Sequence, residues 1–131
     1  MINTVIDTNV LVSAALSPKG TCARIMALIS NTDEIQVFYS TKILDEYIKV
    51  LAYDKLKIAE YIQKDITNTL TAFGILIEPP TSINPMPDES DRIFYDTAKQ
   101  ARAFLVTGNI KHYPPEAFIL SPADFIHELG F

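Results

Sequence analysis

The sequence predicts an α/β fold, a three-layer α/β/α arrangement around a central, mostly parallel sheet, and three observations lead to it. Short apolar runs rich in β-branched residues recur along the chain, at Val5-Ile6, Ile35 to Tyr39, Ile75-Leu76-Ile77, Phe104-Leu105-Val106 and Phe118-Ile119-Leu120. Between them lie longer stretches with helical spacing of apolar residues, and such alternation places parallel strands between covering helices. Finally, Asp7 directly follows the first run, at a strand's carboxyl end, where open parallel sheets place their chemistry.

The elements follow in order. Val5-Ile6, flanked by Ile2 and by Val10-Leu11-Val12, reads as a buried strand with a turn starting at Asp7. Thr21 to Ser30 is a helix carrying Ile25, Met26, Leu28 and Ile29. Ile35 to Tyr39 is a strand, after which Ser40 caps a helix running to about Tyr53. A second helical stretch covers roughly Lys57 to Phe73, with Gly74 in the C′ position that favours glycine. Ile75-Leu76-Ile77 is the next strand; Ser90 or Asp91 then opens a helix to about Arg102. The last strand ends before Ser121-Pro122, a cap followed by proline that starts a short terminal helix.

The chain of 131 residues reads as a single domain, 1–131, with one core. Its 48% apolar and 21% charged residues are ordinary for a folded protein and argue against disorder. The stretch from Pro79-Pro80 to Pro87 reads as an ordered loop. Cys22 is the sole cysteine, expected to be a small buried hydrophobe, and a chain without disulfides fits a reducing cytoplasm. No segment approaches the roughly 18 consecutive apolar residues of a membrane helix, and the start lacks a basic n-region. The expectation is a cytoplasmic protein with no membrane association. A net charge of −5 argues against a broad duplex-binding face. It is compatible with a few basic residues lining one groove and with a basic protein partner.

The acids carry the chemistry. Several strand-end carboxylates brought to one spot make an oxygen-rich site suited to a hard divalent cation. Taken alone, Asp7 is as well explained as a turn residue or helix cap. Asp45 and Glu46 flank the apolar arc formed by Ile43, Leu44, Tyr47, Ile48, Val50 and Leu51, and the helical wheel does not choose between them. Asp88, Asp91 and Asp96 surround a helix start, where acids in the first turn are favoured by the dipole. Asp91 and Asp96 are too far apart around the helix to face one ion; Asp91 is the candidate and Asp96 reads as a solvated position. Thr107-Gly108-Asn109 leaves a strand at the same edge as Asp7, offering neutral oxygens and a sharp turn. In Lys111-His112-Tyr113-Pro114 the basic and aromatic groups are suited to holding phosphate or stacking a base.

Taken together, Ile6-Asp7-Thr8-Asn9-Val10-Leu11-Val12-Ser13-Ala14, Glu46-Tyr47, the run Asp88 to Asp96, and Leu105 to Asn109 with Lys111-His112-Tyr113-Pro114 resemble the PIN domain. The likeness covers nearly the whole chain in the right order. It is nearest to the bacterial branch of toxin components of toxin–antitoxin systems, of the same broad kind as the VapC toxins. The resemblance implies a metal-dependent endoribonuclease that hydrolyses RNA phosphodiesters with Mg²⁺ or Mn²⁺, a small antitoxin protein as partner, and a homodimer. By motif, Asp7, Glu46 and Asp91 are the metal ligands and Asn109 occupies the fourth catalytic position, often aspartate. Thr8, Asn9, Thr107, Lys111 and His112 support the site or the substrate. The implied products carry 5′-phosphate and 3′-hydroxyl ends; a second ion about 3.5–4 Å from the first would stabilise the leaving oxygen.

The asparagine at 109 removes one negative charge and keeps an alternative open, a PIN fold that binds RNA or protein with weak or no catalysis. Two other classes fit less well. A response-regulator receiver needs an acidic pair near Asp7 and a central phosphoacceptor aspartate. An aspartyl phosphotransferase of the haloacid dehalogenase type needs a second aspartate where Asn9 stands.

Overall fold

The structure, a computed structural model, describes residues 1–131. The chain runs β1 (Ile2–Ile6), α1 (Thr8–Leu16), α2 (Thr21–Asn31), β2 (Ile35–Tyr39), α3 (Thr41–Leu51), α4 (Glu60–Phe73), β3 (Ile75–Leu76), α5 (Arg92–Ala101), β4 (Phe104–Val106), β5 (Ile119–Leu120) and α6 (Pro122–Glu128). Short 3₁₀ turns lie at Asp54–Leu56, Glu89–Asp91 and Ile110–His112.

The five strands form one sheet in the order β3-β2-β1-β4-β5, and every pairing is parallel. Helices cover the sheet in a three-layer α/β/α arrangement: α5 rests against β1, β2 and β4, while α2 and α4 touch β2. The central strand shows why. Thr4, Val5 and Ile6 are all buried, the continuous run required of a parallel strand covered on both faces. Val5, Ile6, Val37, Leu105 and Val106 join Leu11, Ile25, Ile43, Tyr47, Phe94 and Phe125 in one apolar cluster. Each such side chain contributes about 1.5–3 kcal/mol by leaving water. Strand order reverses between β1 and β4, so a crevice opens at their carboxyl ends, the switch point at which open α/β sheets bind ligands.

Local chemistry sets most element ends. The Ser40 hydroxyl accepts from Ile43 N–H and starts α3; the Ser121 hydroxyl accepts from Asp124 N–H and starts α6. Arg102, in the left-handed conformation at φ 51°, stops α5.

Three differences from the sequence reading have physical causes. Val10-Leu11-Val12 belongs to a helix, α1, because burying Val10, Leu11 and Ala14 on one face outweighs the strand preference of valine. The helix expected from Lys57 starts at Glu60, since Lys57 itself is left-handed at φ 55° and closes the preceding 3₁₀ turn. Gly74 does end α4, but with φ −92°, so it is not a left-handed C′ glycine. Its role is close approach. A Cβ there would lie 2.3 Å from the Leu70 carbonyl oxygen and 2.9 Å from the Tyr39 ring. Cys22 is only partly buried, packed on the edge of the core. No helix is long and apolar enough to cross a membrane.

Gly74→Ala is therefore predicted to destabilise the protein by about 1–3 kcal/mol, lowering Tm by roughly 4–10 °C. A thermal melt checks it; an unchanged Tm would mean that Leu70 and Tyr39 yield freely.

Candidate metal centre at the carboxyl edge of the sheet

β1 and β4 end side by side, and two polar residues continue them. Asp7 N–H donates to the Val106 carbonyl at 2.9 Å, so the aspartate is still tied to β4 as the chain turns into α1. Its backbone occupies the N-cap position of α1, yet its carboxylate makes no capping bond. Instead it reaches across to the neighbouring strand. Oδ2 of Asp7 accepts from the Thr107 hydroxyl and from the Tyr113 hydroxyl, both at 2.8 Å. Asp7 is 5% exposed and its Oδ1 makes no hydrogen bond within the chain. A carboxylate with one oxygen fixed by two donors and the other free is held as a ligand needs to be.

Thr107 uses all its hydrogen-bonding capacity there. Besides donating to Asp7, its Oγ1 accepts from Asn109 N–H at 3.0 Å and from the Asn9 amide at 3.3 Å. Asn9 Oδ1 in turn accepts from Gly108 N–H at 2.9 Å. Gly108 lets this turn lie close to Asn9: a Cβ would sit 3.3 Å from the asparagine oxygen. Asn9 and Thr107 thereby staple the first turn of α1 to the loop that follows β4.

Glu46 comes from α3. The neighbouring Tyr47, fully buried, donates its hydroxyl to the carbonyl of Ile6 at the end of β1, pinning α3 to the crevice. The Thr8 hydroxyl donates to Glu46 Oε2, aiming the carboxylate at the site. Asp45, one residue earlier, is exposed, so the packing of α3 makes the choice that the helical wheel left open.

Asp91 ends the 3₁₀ turn that leads into α5, and Asp88 opens that turn. Asp88 Oδ1 accepts from Ser90 N–H at 3.0 Å and from the Ser90 hydroxyl at 2.7 Å, which holds the Asp88 carboxyl below the usual carboxylate range. Asp91 has no such support. Its Oδ2 is buried without a hydrogen-bond partner, with His112 Nδ1 at 3.5 Å. Burial, together with the charges of Asp7 and Asp88, pushes the Asp91 carboxyl up to about 6, opposed by His112. Burial also raises Glu46, opposed by the bond from Thr8, and Asp7 adds repulsion. The tightest set of ligand-type atoms is that of Asp88, Asp91 and His112, all within 4.8 Å of one another. Asp7 and Glu46 flank it, near enough for their charges to raise Asp91.

This donor set fits a hard divalent cation. The four carboxylates supply the oxygen ligands that Mg²⁺ or Mn²⁺ takes, His112 adds an imidazole nitrogen at the edge, and the orphaned Asp91 oxygen lacks the partner an ion would provide.

The remaining predicted residues are placed less uniformly. Lys111 and His112 are exposed, and with Thr107, Gly108, Asn109 and Ser121 they line a cleft of ≈ 360 Å³ beside the acids. The Asn109 side chain is also exposed and makes no hydrogen bond. Tyr113 corrects the sequence reading: it is 3% exposed, unavailable for stacking, and serves to anchor Asp7. Burial, and then the charges of Asp7 and Asp91, push its phenol far above the ordinary range. Asp96 is a second correction. It is not a solvated residue but 7% exposed, accepting from Ser82 N–H at 3.0 Å and so fastening the proline-rich loop to α5. The largest hollow, ≈ 580 Å³ lined by Ile2, Asn3, Lys99, Arg102 and Phe104, lies at the opposite edge of the sheet and shares no residue with the acids. Tyr47 and Asp88 lie within the motifs but were given no role at the site by the sequence reading, and Tyr113 was given a different one.

Comparison with known proteins agrees with this fold. An uncharacterized protein of Methanocaldococcus jannaschii is 35% identical over 114 residues, covering 82% of this chain and 71% of the relative. Among solved structures, a chain of VapBC2 from Rickettsia felis bound to a DNA fragment from their promoter matches the fold with a TM-score of 0.58. Identity there is 16%, and the match covers 92% of this chain and 97% of that one. The PIN domain family itself matches residues 3–111, which takes in every acid of the cluster, and the chain belongs to that family.

Proposed function

We propose that this protein is a metal-dependent endoribonuclease, using Mg²⁺ or Mn²⁺ held by Asp7, Glu46 and Asp91. The observation that carries the reading is Asp91: a buried carboxylate oxygen with no partner, set among three other acids that repel it. Such an arrangement is unfavourable for a structural role and suited to receiving a cation. A bound divalent ion lowers the pKa of water and offsets charge on phosphoryl oxygens. The chain's own residues prepare for it. Thr107 and Tyr113 orient Asp7, Thr8 aims Glu46, and Asn9 with Gly108 fixes the loop that carries Asn109. Lys111 supplies an exposed positive charge beside the acids for a substrate phosphate. RNA as substrate rests on membership of the PIN domain family and on the resemblance to its ribonucleases.

The fold relationship to VapBC2, a pair bound to promoter DNA, supports a toxin role with a small antitoxin protein as partner. A net charge of −5 favours a basic one. A homodimer in the cytoplasm completes the proposal.

Single-stranded RNA incubated with Mn²⁺ should be cut by the wild type, with no cutting in chelator. Asp7→Asn and Asp91→Asn, prepared identically, should lose at least about 100-fold in rate. Equal cleavage by wild type and variants would assign the activity elsewhere, and folded wild type without cleavage would overturn the nuclease reading.

The raised Asp91 carboxyl gives a second prediction. Its folded pKa of about 6 lies above the ordinary value of 3.8, so its stabilising contribution is complete below the lower value and lost as pH rises through the higher one. Metal-free protein should therefore be less stable at pH 7.5 than Asp91→Asn, by about 1–2 kcal/mol after allowance for solvent screening, and the gap should narrow as pH falls through 6 and close only below about pH 4. Added Mn²⁺ should raise the wild-type Tm more at pH 7.5 than at pH 5.5. An identical shift at both pH values would contradict it.

A further inference from the structure

We propose that His112 is a metal-ligating residue, and that Asp88, Asp91 and His112 hold a second divalent ion beside the one assigned to Asp7, Glu46 and Asp91. The inference rests on the metal-centre reading above and extends it to residues outside that set.

Three features point to it. The ligand atoms of Asp88, Asp91 and His112 lie within 4.8 Å of one another, and His112 Nδ1 stands 3.5 Å from Asp91 Oδ2. Neighbouring ligands on one octahedral ion, each at about 2.1–2.2 Å, are roughly 3 Å apart, so a small closure suffices. At 3.5 Å the same pair is at the limit for a hydrogen bond, and Asp91 Oδ2 is buried with no other partner. Asp88, for its part, spends only Oδ1 on Ser90 and keeps its other oxygen free.

The backbone that delivers His112 is fixed. His112 N–H donates to the Asn109 carbonyl at 3.0 Å, Asn109 N–H to Thr107 Oγ1, and the next residue, Tyr113, is anchored on Asp7. The imidazole therefore hangs over the acids from a short 3₁₀ turn with both ends tied down.

Charge gives the arrangement its sense. Asn109 leaves position 109 neutral, but Asp88 restores a fourth carboxylate, and four carboxylates balance two divalent ions. An imidazole in the set also shifts preference away from Mg²⁺, which keeps to oxygen ligands, toward a transition ion such as Mn²⁺.

The test uses tag-free full-length protein, because the chain has only two histidines, His112 and His127. Metal-free protein is titrated with Mn²⁺, free ion is counted by electron paramagnetic resonance, and bound ion is examined by pulsed methods for ¹⁴N coupling. Wild type should bind two ions, with an imidazole nitrogen coupled to one. His112→Ala should lose that coupling and weaken the second ion at least about tenfold. His127→Ala should change neither. His112→Gln, closer in size, provides the reading if the alanine variant fails to fold. Absence of ¹⁴N coupling in the wild type, or unchanged binding in His112→Ala, would overturn the inference. Asp7→Asn separates the two layers: if it loses an ion while His112→Ala loses none, the metal centre stands and His112 is not a ligand. If folded wild type binds no Mn²⁺, both readings fall.

Discussion

Two hydroxyl groups meeting one carboxylate oxygen hold this molecule's chemistry in place. Asp7 stands at the end of β1, Thr107 at the end of β4, and Tyr113 beyond the loop that follows; their two 2.8 Å hydrogen bonds join three segments that the sheet alone only brings near one another. Hydrogen bonds to a charged acceptor contribute about 1.5–3 kcal/mol each, enough to offset much of what burying the Asp7 charge costs. The parallel pairing of β1 with β4 is the precondition, because only adjacent strands running the same way end at the same edge. The switch in strand order then leaves that edge open.

Around this anchor the remaining acids are arranged at the expense of stability. Thr8 supports Glu46 and Ser90 supports Asp88, but Asp91 carries an unpartnered buried oxygen and the repulsion of its neighbours. A fold optimised for stability alone would neutralise or pair that group. A site that must receive a cation keeps it charged and unpaired, and such trade-offs between stability and activity are common. Asp96 on α5 also leaves one oxygen, Oδ1, buried without a partner, but its Oδ2 is engaged by the backbone of the proline-rich loop, whereas Asp91 sits among Asp7, Asp88 and Glu46.

Much of this was legible in the sequence, and the reasons are local. Apolar runs of the right length announced the strands, and Ser40 and Ser121 announced helix starts because capping is a short-range effect. Asp7 was visible because it directly follows the first strand. What the sequence concealed depends on distant contacts. Val10-Leu11-Val12 carries a strand preference that burial overrules, and Gly74 is required by the Tyr39 ring from another strand. Asp45 and Glu46 were indistinguishable until the Tyr47 hydroxyl, bonded to Ile6, fixed which side of α3 meets the sheet's end. Tyr113 read as a surface aromatic because nothing nearby in sequence reveals a carboxylate 106 residues away.

The central claim is that Asp7, Glu46 and Asp91 converge to hold a divalent ion. A crystal structure of the protein grown with Mn²⁺, with anomalous data collected at the manganese edge, tests it most directly. The account predicts an anomalous peak about 2.0–2.3 Å from oxygens of all three carboxylates, with the Thr107 and Tyr113 bonds to Asp7 unchanged. A well-ordered site with no peak, or manganese bound only elsewhere on the surface, would contradict it.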